Sequence, residues 1–389
     1  MSWNPAFAGL DCLACGERHP PDGAAERCPA CDGLLTVALE VTPDDVPDED
    51  NGIGLWRFGP VLPVTRSQAV DLRPGGTPLV QAPGVADELP VAQLFVKEEG
   101  RNPTGSIFDR GMAICGGALT HAGVTEIGLA SPGWSGQAAS TMAARAGMER
   151  AVFVPSRSSF AAKALINVAG GEMRVIPGQF ADAVAAWRDA TADASWHPID
   201  PAVNPYLRRG LATVYWELLA ACQWTLPEVV VVPTGSGATL TAVIEAAIAA
   251  KRMDWAADTP TVIAAQPAGC APIVDAYEQE SDTPVPVQHP DTICGELEIP
   301  EPPAGRLALR RLRAIDGSAV AVTDQEAFAG AIALARRDGI IPSIAGGVAT
   351  AALSNVGDLP HDATAVVINP GDGLTQADRL RSYLMSQGE

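Results

Sequence analysis

The sequence predicts an α/β protein with mostly parallel sheets and a small metal-binding ribbon at its N-terminus. Three features predict this. The 389-residue chain is 47% apolar and 19% charged, a composition that folds and a length that suits two or three domains. Short apolar runs alternate with alanine-rich stretches of helical periodicity, the pattern of repeated strand–helix–strand units. Four of the eight cysteines lie in the first 31 residues as two Cys-x-x-Cys pairs.

The cysteine pairs come first in the chain. Cys12 and Cys15 are separated from Cys28 and Cys31 by 12 residues. Two tight turns, each offering two thiolates to one tetrahedral ion, is zinc-ribbon spacing. Gly16 and Gly33 suit the turns that follow each pair. Four thiolates leave no open coordination position, so a zinc ion bound at residues 1–40 is expected to be structural. The remaining cysteines, Cys115, Cys222, Cys270 and Cys294, are scattered, too few for a disulfide scaffold in a chain of this length.

An acidic, proline-containing linker, VTPDDVPDEDNG, is expected at 41–52. Beyond it, LFVK (94–97), IGLA (127–130), AVFVP (151–155), VVVVP (229–233), VIAAQ (262–266) and AVVIN (365–369) read as buried parallel strands. GQAASTMAARAG (136–147) and LTAVIEAAIAAKR (240–252) read as helices.

Charge excludes some partners. The net charge is −20, and Lys97, Lys163 and Lys251 are the only lysines. So acidic a surface repels nucleic acid and anionic membranes. It suits either a high-salt cytoplasm or an arginine-preferring genome, and composition leaves both open. No run of 18 apolar residues suggests a membrane span, and the N-terminal residues lack the pattern of a secretory signal. A cytoplasmic protein is the expectation.

The segment NPTGSIFDR at 102–110 follows LFVKEEG. It resembles the NPTGSFKDR signature of the threonine synthase family. GLWRF at 54–58, VLP at 61–63, GGTPLV at 75–80, NPY at 204–206 leading into the segment around Glu217, QPAGCAPI at 266–273 and TICG at 292–295 resemble further family segments. The resemblance implies the fold-type II arrangement of pyridoxal phosphate (PLP) enzymes, with a cleft between two α/β domains. Residues 53–103 and 205–389 would form the large domain and 104–204 the small one, after the ribbon at 1–40. It also implies conversion of O-phosphohomoserine to threonine and phosphate, and a homodimer by default.

Against that family pattern, the cofactor contacts are altered. The family's Schiff-base lysine falls at Phe108. Its S-x-G-N loop reads SPGWSG at 131–136, with Trp134 at the asparagine position, and an indole cannot accept a hydrogen bond. Its phosphate loop is largely kept as TGSGATL at 234–240, with Ser236 where asparagine is usual. Gly235, Ser236, Gly237, Ala238 and Thr239 would cradle an anion at a helix N-terminus. Near the C-terminus NPGDGLT at 369–375 places Pro370 near the family's pyridine-facing hydroxyl, with Asn369 the adjacent polar residue.

No other lysine is an evident substitute. Lys97 has a family counterpart beside the catalytic lysine, Lys163 reads as a solvated helix residue, and Lys251 complements a helix dipole. His19, His121, His197, His289 and His361 form no recognisable motif and read as surface or loop residues. Asp109 and Arg110 read as a structural pair opening a helix.

Three functions are compatible with these residues. One is a pseudoenzyme that binds a small anionic or amino-acid-like ligand, or a partner. The second is an active PLP-dependent enzyme of the threonine synthase type. The third is an enzyme of another class that reuses the phosphate loop.

Overall fold

The computed structural model describes residues 3–42, 52–191, 195–225, 227–357, 359–360 and 362–388. Most of the acidic linker, and His361, lie outside the described residues. The chain divides into two compact units: Met1–Gly76, Asn102–Glu217 and Ala249–Trp255 in the first, and Thr77–Arg101, Leu218–Ile248 and Ala256–Glu389 in the second. Residues 53–76 and 205–217 therefore group with 104–204 and with the ribbon.

The ribbon is an antiparallel sheet in the order β2-β1-β3, with β1 at Phe7–Cys12, β2 at Arg18–His19 and β3 at Leu35–Leu39. Its apolar core is small, chiefly Leu10 and Leu35. It packs within the first unit against the helix Pro205–Ala221: Tyr206 donates to the Asp22 carbonyl at 2.7 Å, and the Trp3 ring stacks on Tyr206 at 5.8 Å.

The first unit's α/β part is a parallel sheet of four strands. Strand β6 is Glu126–Ala130, β7 is Glu149–Pro155, β8 is Glu172–Ile176 and β9 is His197–Pro198, in the order β8-β7-β6-β9. β6 and β7 carry the predicted IGLA and AVFVP runs. Strand β8 has no apolar run in the sequence, because Glu172, Arg174 and Val175 on this edge strand are exposed. An edge strand needs less apolar surface than a central one.

The second unit is built on a six-stranded sheet. Its strands are β4 (Leu79–Gln81), β5 (Gln93–Glu98), β10 (Val229–Pro233), β11 (Thr261–Pro267), β12 (Ser318–Val322) and β13 (Thr364–Asn369). The order is β12-β11-β10-β13-β5-β4, parallel except for β4. The central strand explains why VVVVP was legible: Val229 to Val232 are all buried, as required where both faces are covered by helices. The helices beside it start and stop on local signals. In Asp324–Asp338, Thr323 and Glu326 form a capping box, and Gly339 ends the helix at φ 69°.

One buried ion pair pins the first unit. Arg110, with no exposed side-chain surface, donates to Glu217 Oε2 at 2.7 Å and to Thr213 Oγ1 at 3.1 Å. Glu217 Oε1 accepts the Gly76 amide at 2.8 Å. Two helices, Phe108–His121 and Pro205–Ala221, and the 75–76 turn thus meet at one carboxylate. Gly75 is required there: its φ is +82°, and a Cβ would stand 2.5 Å from Glu217 Oε1. Breaking such a pair by removing one partner typically costs about 3–5 kcal/mol.

Candidate functional site

The ribbon cysteines converge. The Sγ atoms of Cys12, Cys15, Cys28 and Cys31 all lie within 4.8 Å of one another. Cys12 and Cys31 sulfurs are 3.5 Å apart and those of Cys15 and Cys28 are 3.8 Å apart. A tetrahedral ion with bonds of about 2.3 Å needs sulfurs about 3.8 Å apart, so the cluster fits zinc. The Cys12 sulfur also accepts the amides of Ala14 and Cys15, each at 3.4 Å. Gly33 packs against the cluster, where a Cβ would meet the Cys12 sulfur at 2.8 Å.

The histidines expected at the surface or in loops do not all lie there. His19, on β2, places Nε2 3.2 Å from the Cys28 sulfur, beside the four-cysteine cluster. His197 lies on β9 and is half-buried, and burial lowers its pKa. His121 ends the Phe108–His121 helix, with its ring 4.2 Å from that of Trp3. His289 is exposed as expected.

In the first unit, the residues that carry the loop resemblance fold the loop. Asn102 Oδ1 accepts the Gly75 amide at 2.8 Å, and Gly105 turns the chain at φ +76°. Asp109 accepts the Thr104 amide at 2.7 Å and its hydroxyl at 2.9 Å, whereas Arg110 extends to Glu217. Asp109 and Arg110 thus anchor two different neighbours. Phe108 opens the helix and is half-buried, with its amide on Ser106 Oγ at 3.2 Å.

Trp134 begins the helix Trp134–Ala146 and is 7% exposed. Ser131 organises the turn before it. Its Oγ accepts the Gly133 and Gly136 amides at 3.0 and 2.8 Å and meets Ser135 Oγ at 2.9 Å. Gln137 on this helix donates to the Thr104 carbonyl at 2.5 Å and ties the Trp134 turn to the Phe108 loop.

In the second unit, Thr234 to Ala238 turn from β10 into the helix Ala238–Arg252. Gly237 has φ +85°, and Ser236 Oγ accepts the Ala238 amide at 3.4 Å. Gly235, Ser236 and Thr239 are half-buried between fully buried neighbours. The backbone therefore reaches the surface at a helix N-terminus, an arrangement suited to an anion.

Asn369 ends β13, fully buried. Its Oδ1 accepts the Ser343 amide at 3.0 Å and hydroxyl at 2.8 Å. Its Nδ2 lies 3.3 Å from both oxygens of Glu98, the residue paired with it in strand register. The carboxamide is thus consumed internally, and Glu98, which sequence reasoning passed over, carries the titratable group of this edge. Its signal was a carboxylate ending an apolar strand.

Burial is the main cause that pushes the Glu98 carboxyl up to about 7 from 4.5; the Asn369 hydrogen bond and Arg101 oppose it, while Asp372 and Glu99 add to it. A carboxyl raised on folding costs stability as pH rises from about 4.5 to about 7 and beyond, where the folded group must ionise in place. Glu98→Gln removes that cost. Its unfolding free energy is expected to match the parent near pH 4 and to exceed it by at most about 3 kcal/mol above pH 7. Urea titrations of both proteins from pH 4 to 8 measure this. A difference independent of pH contradicts it.

The three lysines are held outside these loops. Lys97, on β5 and 2% exposed, donates to the Thr77 carbonyl at 2.7 Å. Lys163, in the helix Phe160–Val168, donates to the Ser156 carbonyl at 2.8 Å. Lys251 lies exposed in the last turn of its helix. Among the described residues, no helix is long and apolar enough to cross a membrane.

Comparison with known proteins places this architecture. A family profile described as "Pyridoxal-phosphate dependent enzyme" matches residues 70–371. The chain belongs to this family. It is 30% identical to the threonine synthase of Methanocaldococcus jannaschii over 377 residues, 94% of this chain and 93% of that protein. It is 29% identical to the threonine synthase of Methanosarcina acetivorans over 371 residues, 93% of this chain and 91% of that one. The fold matches threonine deaminase isoform 2 of Solanum lycopersicum with a TM-score of 0.66 at 18% identity, covering 78% of this chain and 86% of that chain. The chain is thus threonine synthase-like with the fold-type II architecture, and membership of the family implies pyridoxal phosphate.

Proposed function

We propose that this threonine synthase-like chain has lost lysine-based PLP chemistry and keeps the scaffold to bind a small phosphorylated or amino-acid-like ligand. The observation that carries this reading is the loop at 102–110. The residues that fold it are retained, and the side chain at the position corresponding to the family's lysine is the benzyl group of Phe108. The cofactor's chemistry begins with an imine to an amine, which turns the ring into an electron sink. A phenyl ring forms no imine, and neither Lys97 nor Lys163 belongs to that loop.

The residues therefore fit the cofactor in part. The Thr234–Ala238 turn suits its phosphate, and the Phe108 loop does not suit its covalent attachment. Trp134, buried at the head of its helix, adds apolar bulk where a carboxamide contact would be expected. The four ribbon cysteines are proposed to hold a structural zinc ion, since all four positions of the tetrahedron are filled by protein sulfur.

An absorption spectrum tests the main reading. Purified protein with added PLP is expected to show the spectrum of the free cofactor, and borohydride followed by removal of small molecules is expected to leave no cofactor on the chain. A visible band that borohydride converts into a permanent adduct overturns the reading. That result would favour an active threonine synthase-type enzyme, which the near full-length similarity to the archaeal relatives also supports.

A further inference from the structure

In the second unit, residues 292–299 pack against the 234–238 turn. A Cβ on Gly235 would meet Ile299 Cγ1 at 3.1 Å, the Leu297 Cα at 3.3 Å and the Glu296 carbonyl at 3.5 Å. The missing side chain of Gly235 is what lets this segment approach the turn. The segment contains no helix or strand, so side chains from elsewhere must fix it. Two do so. Asp324, at the start of the helix Asp324–Asp338, accepts the Thr292 hydroxyl at 2.6 Å and the Ile293 amide at 3.0 Å. Arg379, on the C-terminal helix Ala377–Ser386, donates from Nη1 to the Ile293 carbonyl at 3.2 Å. The same nitrogen stands 3.8 Å from Glu296 Oε2.

Glu296 gives the second anchor its weight. Its side chain is 4% exposed. Burial pushes its pKa up, and Arg379 is foremost among the groups that oppose this. Withdrawing the partner of such a group leaves a buried charge uncompensated. Glu296 thus faces two ways: its carbonyl lies beside Gly235, and its carboxylate faces Arg379. The helix that supplies Arg379 is lightly held. None of its residues is buried, and a helix of this length is marginal without packing. Tyr383, stacked on Phe328 at 4.2 Å, gives it a second hold. An element with so little burial opens at low free-energy cost.

We propose that Arg379 is a positioning residue for the 234–238 turn: through it the C-terminal helix docks onto Glu296, seats residues 292–299 against Gly235 and so couples its own docking to anion affinity at the turn. The inference rests on the reading of that turn as an anion site. Arg379 acts through Glu296 and not on the ligand. The coupling is reciprocal: an anion on the turn tightens the helix, and displacement of the helix weakens the anion.

Two measurements on the full chain test this: calorimetric titration with inorganic phosphate, and hydrogen exchange at residues 234–240 and 292–299. Arg379→Ala is expected to weaken phosphate at least about fivefold, the lower end of couplings between sites, and to speed exchange in both segments. Arg379→Lys is expected to restore part of each. Arg381→Ala removes an equal charge from an exposed position on the same helix and is expected to change neither. Glu296→Gln removes the buried charge, so adding Arg379→Ala to it is expected to have little further effect. Unchanged phosphate affinity and exchange in Arg379→Ala overturn the proposal. So does a loss that Arg381→Ala reproduces, or one that persists in full in the Glu296→Gln background. If the parent protein binds no phosphate, the reading of the turn as an anion site falls by itself, and the exchange rates alone decide whether Arg379 positions the turn.

Discussion

Phosphate release from O-phosphohomoserine, assayed with added PLP, is expected to be slower by a factor of about 10⁴ or more than in the Methanocaldococcus jannaschii threonine synthase measured side by side. The magnitude follows from what removal of a catalytic nucleophile costs elsewhere, about 10⁴ to 10⁶ in rate. The surrounding parts are intact: Asn102, Thr104 and Asp109 still close the loop, and Arg110 still anchors its helix to Glu217. A deficit would therefore reflect missing chemistry rather than a collapsed site. Thermal unfolding measured on the same samples separates the two. Turnover within tenfold of the relative would show that another group does the work of the missing amine, and the reading of Phe108 would fall.

The second large effect concerns the ribbon. A chelator strong enough to strip zinc is expected to release a single zinc ion per chain and to unfold residues 1–40 while both α/β sheets persist. Zinc binding to such thiolate sets is worth about 10–16 kcal/mol, and that binding energy is folding energy. The ribbon's own apolar core, chiefly Leu10 and Leu35, is too small to replace it. Limited tryptic digestion reads the result, because Arg18 and Arg27 lie within the ribbon. Cleavage there should become fast after chelation, with far-UV circular dichroism nearly unchanged. A protein that contains no zinc as purified, or a ribbon that resists trypsin after chelation, contradicts the expectation. His19, within 3.2 Å of the Cys28 sulfur, is placed to donate to that thiolate and steady it.

Much of the fold was legible because burial leaves a pattern in the chain. The valines at 229–232 mark β10, and the run at 365–369 marks β13, because a strand covered on both faces has no polar alternation. The cysteine spacing marked the ribbon because a tetrahedral ion constrains sequence as well as space. Strand β8 was not legible. It lies at a sheet edge, where exposed Glu172 and Arg174 satisfy the geometry without an apolar run. The grouping of 53–76 and 205–217 with the first unit was equally hidden, since it comes from contacts between distant parts of the chain, among them Glu217 with Gly76 and Arg110, and Tyr206 with Asp22.

The sequence by itself determined the scaffold and its marked residues: an alternating α/β chain, a four-cysteine cluster, and a phenyl ring in the NPTGSIFDR loop. Those are covalent facts or periodic ones, and they need no third dimension. Only the tertiary structure decided which polar groups remain available. It closed Asn369 between Ser343 and Glu98, turned Arg110 to Glu217, and left the Glu98 carboxyl buried with one weak donor. The reason is physical. A side chain's hydrogen-bond partners and its burial come from strands paired in space, here β5 beside β13, whose residues are more than 260 positions apart in the chain.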